Sequence, residues 1–128
     1  MKIEKNEERE ERIIMEIVVD AYDEYERASG WYHYLQDELT FPFMAKAMDE
    51  LRISPLKKGE LMKVVDLANM DDCEREIYVQ VELDGREFGA PLAQLKFLGL
   101  TVDDEVWTEN TKEAIDDWHY WIQRGYEF

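Results

Sequence analysis

A chain of 128 residues that is 45% hydrophobic can bury roughly two-thirds of its unfolded surface in one domain, which excludes wholesale disorder. Its 31 Asp and Glu against 15 Lys and Arg give a formal net charge of −16, a field that repels nucleic acid and anionic membranes and attracts cations and basic partners. Self-repulsion of this size destabilises the compact chain, so bound cations should stabilise it.

The N-terminal "MKIEKNEEREERIIMEIVVD" is acidic and has neither the apolar run nor the small-residue cleavage site of a signal peptide. Residues 6–29 contain no Pro or Gly, and their period predicts a helix that Gly30 ends or breaks. Stepping about 100° per residue from Ile13 gathers Ile17, Ala28, Ala21, Ile14, Tyr25 and Val18 into one apolar arc. Glu16, Asp23 and Arg27 fall on the far side. Asp20 and Glu24 lie at the edge of the arc, where a carboxylate is desolvated unless something pairs with it. At a spacing of four they can close on one cation, or they can reach solvent or pair with a Lys or Arg.

"WYHYLQDEL" predicts a second short helical piece up to Thr40, and Pro42 forbids its continuation. "FPFMAKAM", "GELMKVVDLA", "EIYVQVEL" and "REFGAPLAQL" read as four strands with alternating pattern. "SPLKKGE" is a turn, and "LDGR" is an Asp-Gly hairpin. Such short strands predict a small curled antiparallel sheet or SH3-like barrel. "LTVDDEVWTEN" reads as a polar connection. Residues 109–123 return to helical period, with Ala114, Ile115, Trp118, Trp121 and Ile122 on one face. The predicted class is therefore α+β, one domain over 1–128, with an N-terminal helix, a small antiparallel SH3-like sheet and a C-terminal helix.

The Walker loop, Gly-x-Gly-x-x-Gly, His-Glu-x-x-His, Gly-x-Ser-x-Gly and paired-Cys signatures are all missing, so the chain is not expected to be an enzyme. Cys73 stands alone, which precludes an intramolecular disulfide, and "DDCERE" should raise its pKa rather than activate it. His33 in "WYHYL" and His119 in "DWHYW" invite a zinc reading. The alternative, favoured here, is that each is a core or helix-flank imidazole satisfying a hydrogen bond. The aromatic stripes read as packing, with Trp118 and Trp121 docking the last helix on the sheet and Trp31, Tyr32 and Tyr34 filling the opposite junction.

Oxygen ligands remain. Calcium takes six to eight oxygens from carboxylates, carbonyls and water. The chain offers acidic doublets at Asp37–Glu38, Asp71–Asp72, Asp103–Asp104 and Asp116–Asp117, with Asp20 and Glu24 besides. No Asp-x-Asp-x-Asp-Gly loop exists, so any calcium site must be assembled from separate segments.

The stretches "EEREERI…EIVVDAYDE", "GWYHYLQDELTFPF", "SPLKKGE", "APLAQL" and "AIDDWHYWIQRGY" together resemble the small acidic bacterial calcium-binding proteins of the CcbP type, along nearly the whole chain. The resemblance implies an α+β domain that binds Ca2+ without EF-hands and acts as a cytoplasmic calcium buffer. Carried over residue by residue, it implies metal ligands at Asp37, ahead of Glu38, at Asp20 and Glu24 in the matching first helix, and at Asp117 in the matching C-terminal motif. The segment "LKFLGLTVDDEVWTEN" departs from the family pattern, which sets Asp103 and Asp104 aside. The expected partner is calcium and the expected state a cytoplasmic monomer, bound to neither nucleic acid nor membrane. The competing expectation is an SH3-like interaction module whose acidic surface docks a basic protein partner.

Overall fold

In the computed structural model the described residues are 4–19, 21–52, 54–73 and 76–125. The chain opens with two helices, α1 (Glu7–Glu16) and α2 (Glu24–Glu38). Five strands follow: β1 (Phe43–Ala47), β2 (Leu61–Leu67), β3 (Tyr78–Leu83), β4 (Arg86–Pro91) and β5 (Leu95–Leu100). A long helix, α3 (Glu105–Gln123), comes last, and short 3-10 turns occupy Met70–Cys73 and Leu92–Gln94. The predicted helix, sheet, helix order and the α+β class hold.

The single helix predicted over 6–29 is two, and the break comes well before Gly30. At the end of α1 the Val18 amide donates to the Ile13 carbonyl at 3.1 Å, a bond one residue longer than the helical repeat, within the β-branched run Ile17–Val18–Val19. Such residues crowd the preceding turn and hold a helix weakly. Asp23 then caps α2, its side chain accepting from the Glu26 amide at 2.8 Å. Gly30 lies inside α2, where a Cβ would sit 2.4 Å from the Ile17 carbonyl oxygen. The glycine is there so that the end of α1 can rest against α2. Because the helices are separate, the single angular wheel fails: Ile14 and Tyr25, placed in its apolar arc, are exposed.

The four predicted strands form, and the Asp-Gly hairpin joins β3 to β4 with φ of 52° at Asp84 and 76° at Gly85, the left-handed pair that a tight hairpin demands. β5 is an addition to the expectation. It pairs antiparallel with β1, so the sheet order is β4-β3-β2-β1-β5 and the sequence neighbours β4 and β5 lie at opposite edges. The β1–β5 register runs from Met44↔Gly99 to Ala45↔Phe97 and leaves Leu98 unpaired in a bulge. That exposed leucine breaks the alternation by which "LKFLGL" would otherwise read as a strand. The predicted polar connection is also shorter than expected, because α3 begins at Glu105 with Asp104 as its cap, accepting from the Trp107 amide at 2.9 Å.

The core lies between the sheet and α2 with α3. Phe43, Val64, Val79 and Val81 project from the strands onto Trp31, Leu35, Ile115 and Trp118, all at 1% exposure or less. Each such side chain contributes on the order of 1.5–3 kcal/mol. Trp31 meets Trp118 edge-on at 5.1 Å and Trp121 at 5.8 Å. The two aromatic stretches therefore fill one junction rather than two opposite ones. Contacts from Tyr34 to Asp117 and from Thr40 to Thr111 run in reverse order along the chain, so α2 and α3 pack antiparallel.

Among the described residues, neither histidine belongs to a group that could hold a metal ion. His33 is exposed on α2 beside the Tyr32 ring, whereas the His119 ring lies 3.2 Å from the Leu92 carbonyl. Burial lowers the pKa of His119, and the weaker opposing pulls of the Leu92 carbonyl and Asp116 do not cancel that. A His held below its ordinary value stays neutral in the fold, so the unfolded chain takes up the proton first. Its contribution to stability is complete above the unfolded value of about 6.5 and is lost as pH falls through it. Urea unfolding from pH 8 to pH 5 should show this loss, and His119→Gln should flatten that part of the curve. An unchanged slope in the variant would show that carboxylates alone carry the acid sensitivity.

Candidate calcium site

The five carboxylates singled out from the sequence do not form one cluster. Glu24 is the first residue of α2 and Glu38 the last, so thirteen helical rises of about 1.5 Å place Glu24 roughly 20 Å from Asp37. Glu24 is exposed and Asp20 lies outside the described residues. Among the described residues, no group of three His, Cys, Asp or Glu side chains is placed to hold a metal ion.

Asp117 has a different occupation. It sits on α3 at 0% exposure, with Oδ1 accepting from Arg9 Nη1 at 2.8 Å and also from Arg12 Nη2. Its Oδ2 accepts from the Tyr34 hydroxyl at 2.6 Å. Arg12 further pairs with Glu113 at 2.9 Å. The hydrogen bond to Asp117 is the main cause that raises the Arg12 pKa. Burial, and then the bond to Asp117, raises that of Tyr34. Two guanidiniums and a phenol thus satisfy both oxygens of a buried carboxylate, and one residue ties α1, α2 and α3 together. The family resemblance pointed to Asp117, but nothing in the sequence shows that Arg9 and Arg12, more than a hundred residues away, arrive there. A calcium ion at Asp117 would have to displace both.

The other doublets divide similarly. Asp116 pairs with Lys112 at 2.8 Å, Asp104 caps α3, and Asp103, Asp71 and Asp72 are exposed. Cys73, beside the last pair, is buried, takes a hydrogen bond from the Tyr78 amide at 3.4 Å, and has its pKa raised by burial.

Asp37 and Glu38 occupy the one position among these where the local structure itself favours a cation. They form the last two residues of α2, and the last turn holds no basic residue. The Leu39 amide makes the closing bond to the Leu35 carbonyl, so the carbonyls of Gln36, Asp37 and Glu38 lie beyond the last helical hydrogen bond. The Thr40 amide turns away to Thr111 Oγ1 at 3.0 Å. Two carboxylates therefore stand at the negative end of a helix dipole, an arrangement that is unfavourable by itself and is relieved by positive charge. Tyr34, one turn earlier, anchors this end to Asp117. The donors are all hard oxygens, which suits calcium. Two carboxylates with helix-end carbonyls fit a partly hydrated ion, not an ion enclosed by protein.

A family model described as calcium binding, of the CcbP type, matches residues 11–122. Among solved structures, the crystal structure of CcbP from Anabaena is 42% identical, with all of both chains covered and a TM-score of 0.81. A calcium-binding protein solved in its calcium-binding form is 41% identical over 97% of this chain and 96% of its own, with a TM-score of 0.79. No curated protein sequence matches the chain. A family match over most of the chain and full-length likeness at this identity lead to one conclusion: the chain belongs to the CcbP family of calcium-binding proteins.

Proposed function

We propose that the protein is a reversible cytoplasmic calcium buffer whose ion is held at the C-terminal end of α2 by Asp37 and Glu38. The observation that carries this reading is the acidic doublet at a helix end that has no basic residue in its last turn. Bound calcium would supply positive charge there and nothing more. The protein's own part is to hold the helix end rigid, through the Tyr34–Asp117 bond and the Thr40–Thr111 bond, so that the carboxylates need little reordering when the ion arrives. Mutual repulsion of the carboxylates, and few protein ligands, make the affinity modest and dependent on salt. Modest affinity and fast release suit buffering. The reading assigns no ligand role to Asp117, Asp20 or Glu24.

Calorimetric titration with calcium, in near-physiological potassium chloride and excess magnesium, tests the proposal. The wild type should give saturable heat, because magnesium dehydrates reluctantly and demands tight octahedral geometry. The double substitution Asp37→Asn, Glu38→Gln should weaken binding by about tenfold or more, while making the calcium-free fold slightly more stable, by about 0.3–1 kcal/mol. Wild-type affinity in the double variant would place the ion elsewhere.

A further inference from the structure

The corner where α1 gives way to α2 exposes an unusual amount of apolar surface for so charged a chain. Within twelve consecutive residues, Ile14 is 48% exposed, Met15 64%, Val19 52%, Tyr22 84% and Tyr25 69%. Soluble proteins scatter single apolar residues on their surfaces, but a concentrated group rimmed by polar residues marks an interaction site. Tyr and Met are also the residues enriched at such sites. Tyr25 also borders a small depression lined by Ala28, Ser29, Met70, Asp71 and Cys73, with room for about one water molecule. The position is fixed by the fold. Close approach of Ile17 to Gly30 holds the end of α1 against α2, and the Asp23 cap starts α2 so that Tyr22 and Tyr25 point outward.

The charge around this corner selects the partner. Residues 11–27 carry six Asp or Glu against Arg12 and Arg27, and Arg12 is committed to Asp117 and Glu113. A second copy of the chain would bring another net −16 to the contact and be repelled, as would an anionic membrane. We infer that the α1–α2 corner is a docking surface for a basic amphipathic segment of another protein, its apolar face on Met15, Tyr22 and Tyr25 and its Lys or Arg residues on the surrounding carboxylates. This is the helix-on-groove mode of recognition, with acidity supplying the rate of encounter and the apolar residues the hold. The inference does not depend on where calcium binds.

The probe is a synthetic amphipathic Leu/Lys peptide of about 15 residues with leucines at helical spacing. Its control has the same composition scrambled to disperse the leucines. Fluorescence anisotropy should show the ordered peptide binding at least about tenfold more tightly than the scrambled one. The substitutions Met15→Ser, Tyr22→Ser and Tyr25→Ser together should abolish that difference, with the circular dichroism spectrum and the calcium titration unchanged. Trp107→Ser, at an exposed apolar residue elsewhere, should leave binding intact. Equal binding of the two peptides would reduce the effect to diffuse electrostatics and overturn the inference. So would full binding by the triple variant, an equal loss in Trp107→Ser, or sedimentation showing that the corner is buried in a dimer.

Discussion

Asp117→Ala is expected to lower the free energy of unfolding by about 2–4 kcal/mol, the largest effect of any single carboxylate in the protein. The substitution removes the acceptor of Arg9, Arg12 and Tyr34 at once. Arg9 and Arg12 keep 23% and 30% of their side-chain surface exposed, so they can partly recover water. The half-buried Tyr34 loses its acceptor as well. The net cost is therefore that of a broken, partly buried network rather than that of two isolated buried charges. Glu113→Ala supplies the contrast. It touches the same arginines, but its side chain is 51% exposed, and screened pairs of that kind are worth about 0–1 kcal/mol. Urea unfolding of both variants separates the two cases. Equal, small losses would show that the three helices are held together by the aromatic core alone.

Gly30→Ala is the second large effect, and its sign runs against ordinary helix propensity. In an exposed helix interior the change from Gly to Ala stabilises by up to about 1 kcal/mol. Here the added Cβ would stand 2.4 Å from the Ile17 carbonyl oxygen, and the obstacle is backbone, not the end of a flexible side chain. Relief requires α1 to move, and α1 carries Arg9 and Arg12 into the Asp117 network. A loss of about 2–3 kcal/mol is expected, seen as a midpoint of thermal unfolding lower by roughly 10 °C. A raised midpoint would mean that the two helices do not meet at Gly30.

The strands and the aromatic core were legible in the sequence because they obey local rules: alternation, an Asp-Gly turn, and apolar residues at helical spacing. β5 was hidden by a bulge at Leu98, which places an apolar residue outward where the pattern needs a polar one. The helix break was hidden for a different reason. The residues from Ile13 to Tyr25 keep a helical period across it, and Gly30, the evident breaker by composition, is needed for close packing instead. The site was half legible. Asp37 and Glu38 could be named from the doublet and the family resemblance, yet their position at the end of a helix dipole depends on where α2 stops. Asp117 reads as an acidic doublet member like any other. That it is buried between two arginines from α1 is a tertiary fact, and no spacing within "AIDDWHYW" encodes it.

Calcium binding at the end of α2 is tested by a calcium titration followed through backbone amide NMR shifts. Saturable shifts should concentrate on residues 36–41, with smaller changes at the α3 residues packed against them and little change at Arg9, Arg12 or the sheet. Saturable shifts centred on Asp117 and its arginines, or on Asp71 and Asp72, with residues 36–41 unmoved, would contradict it.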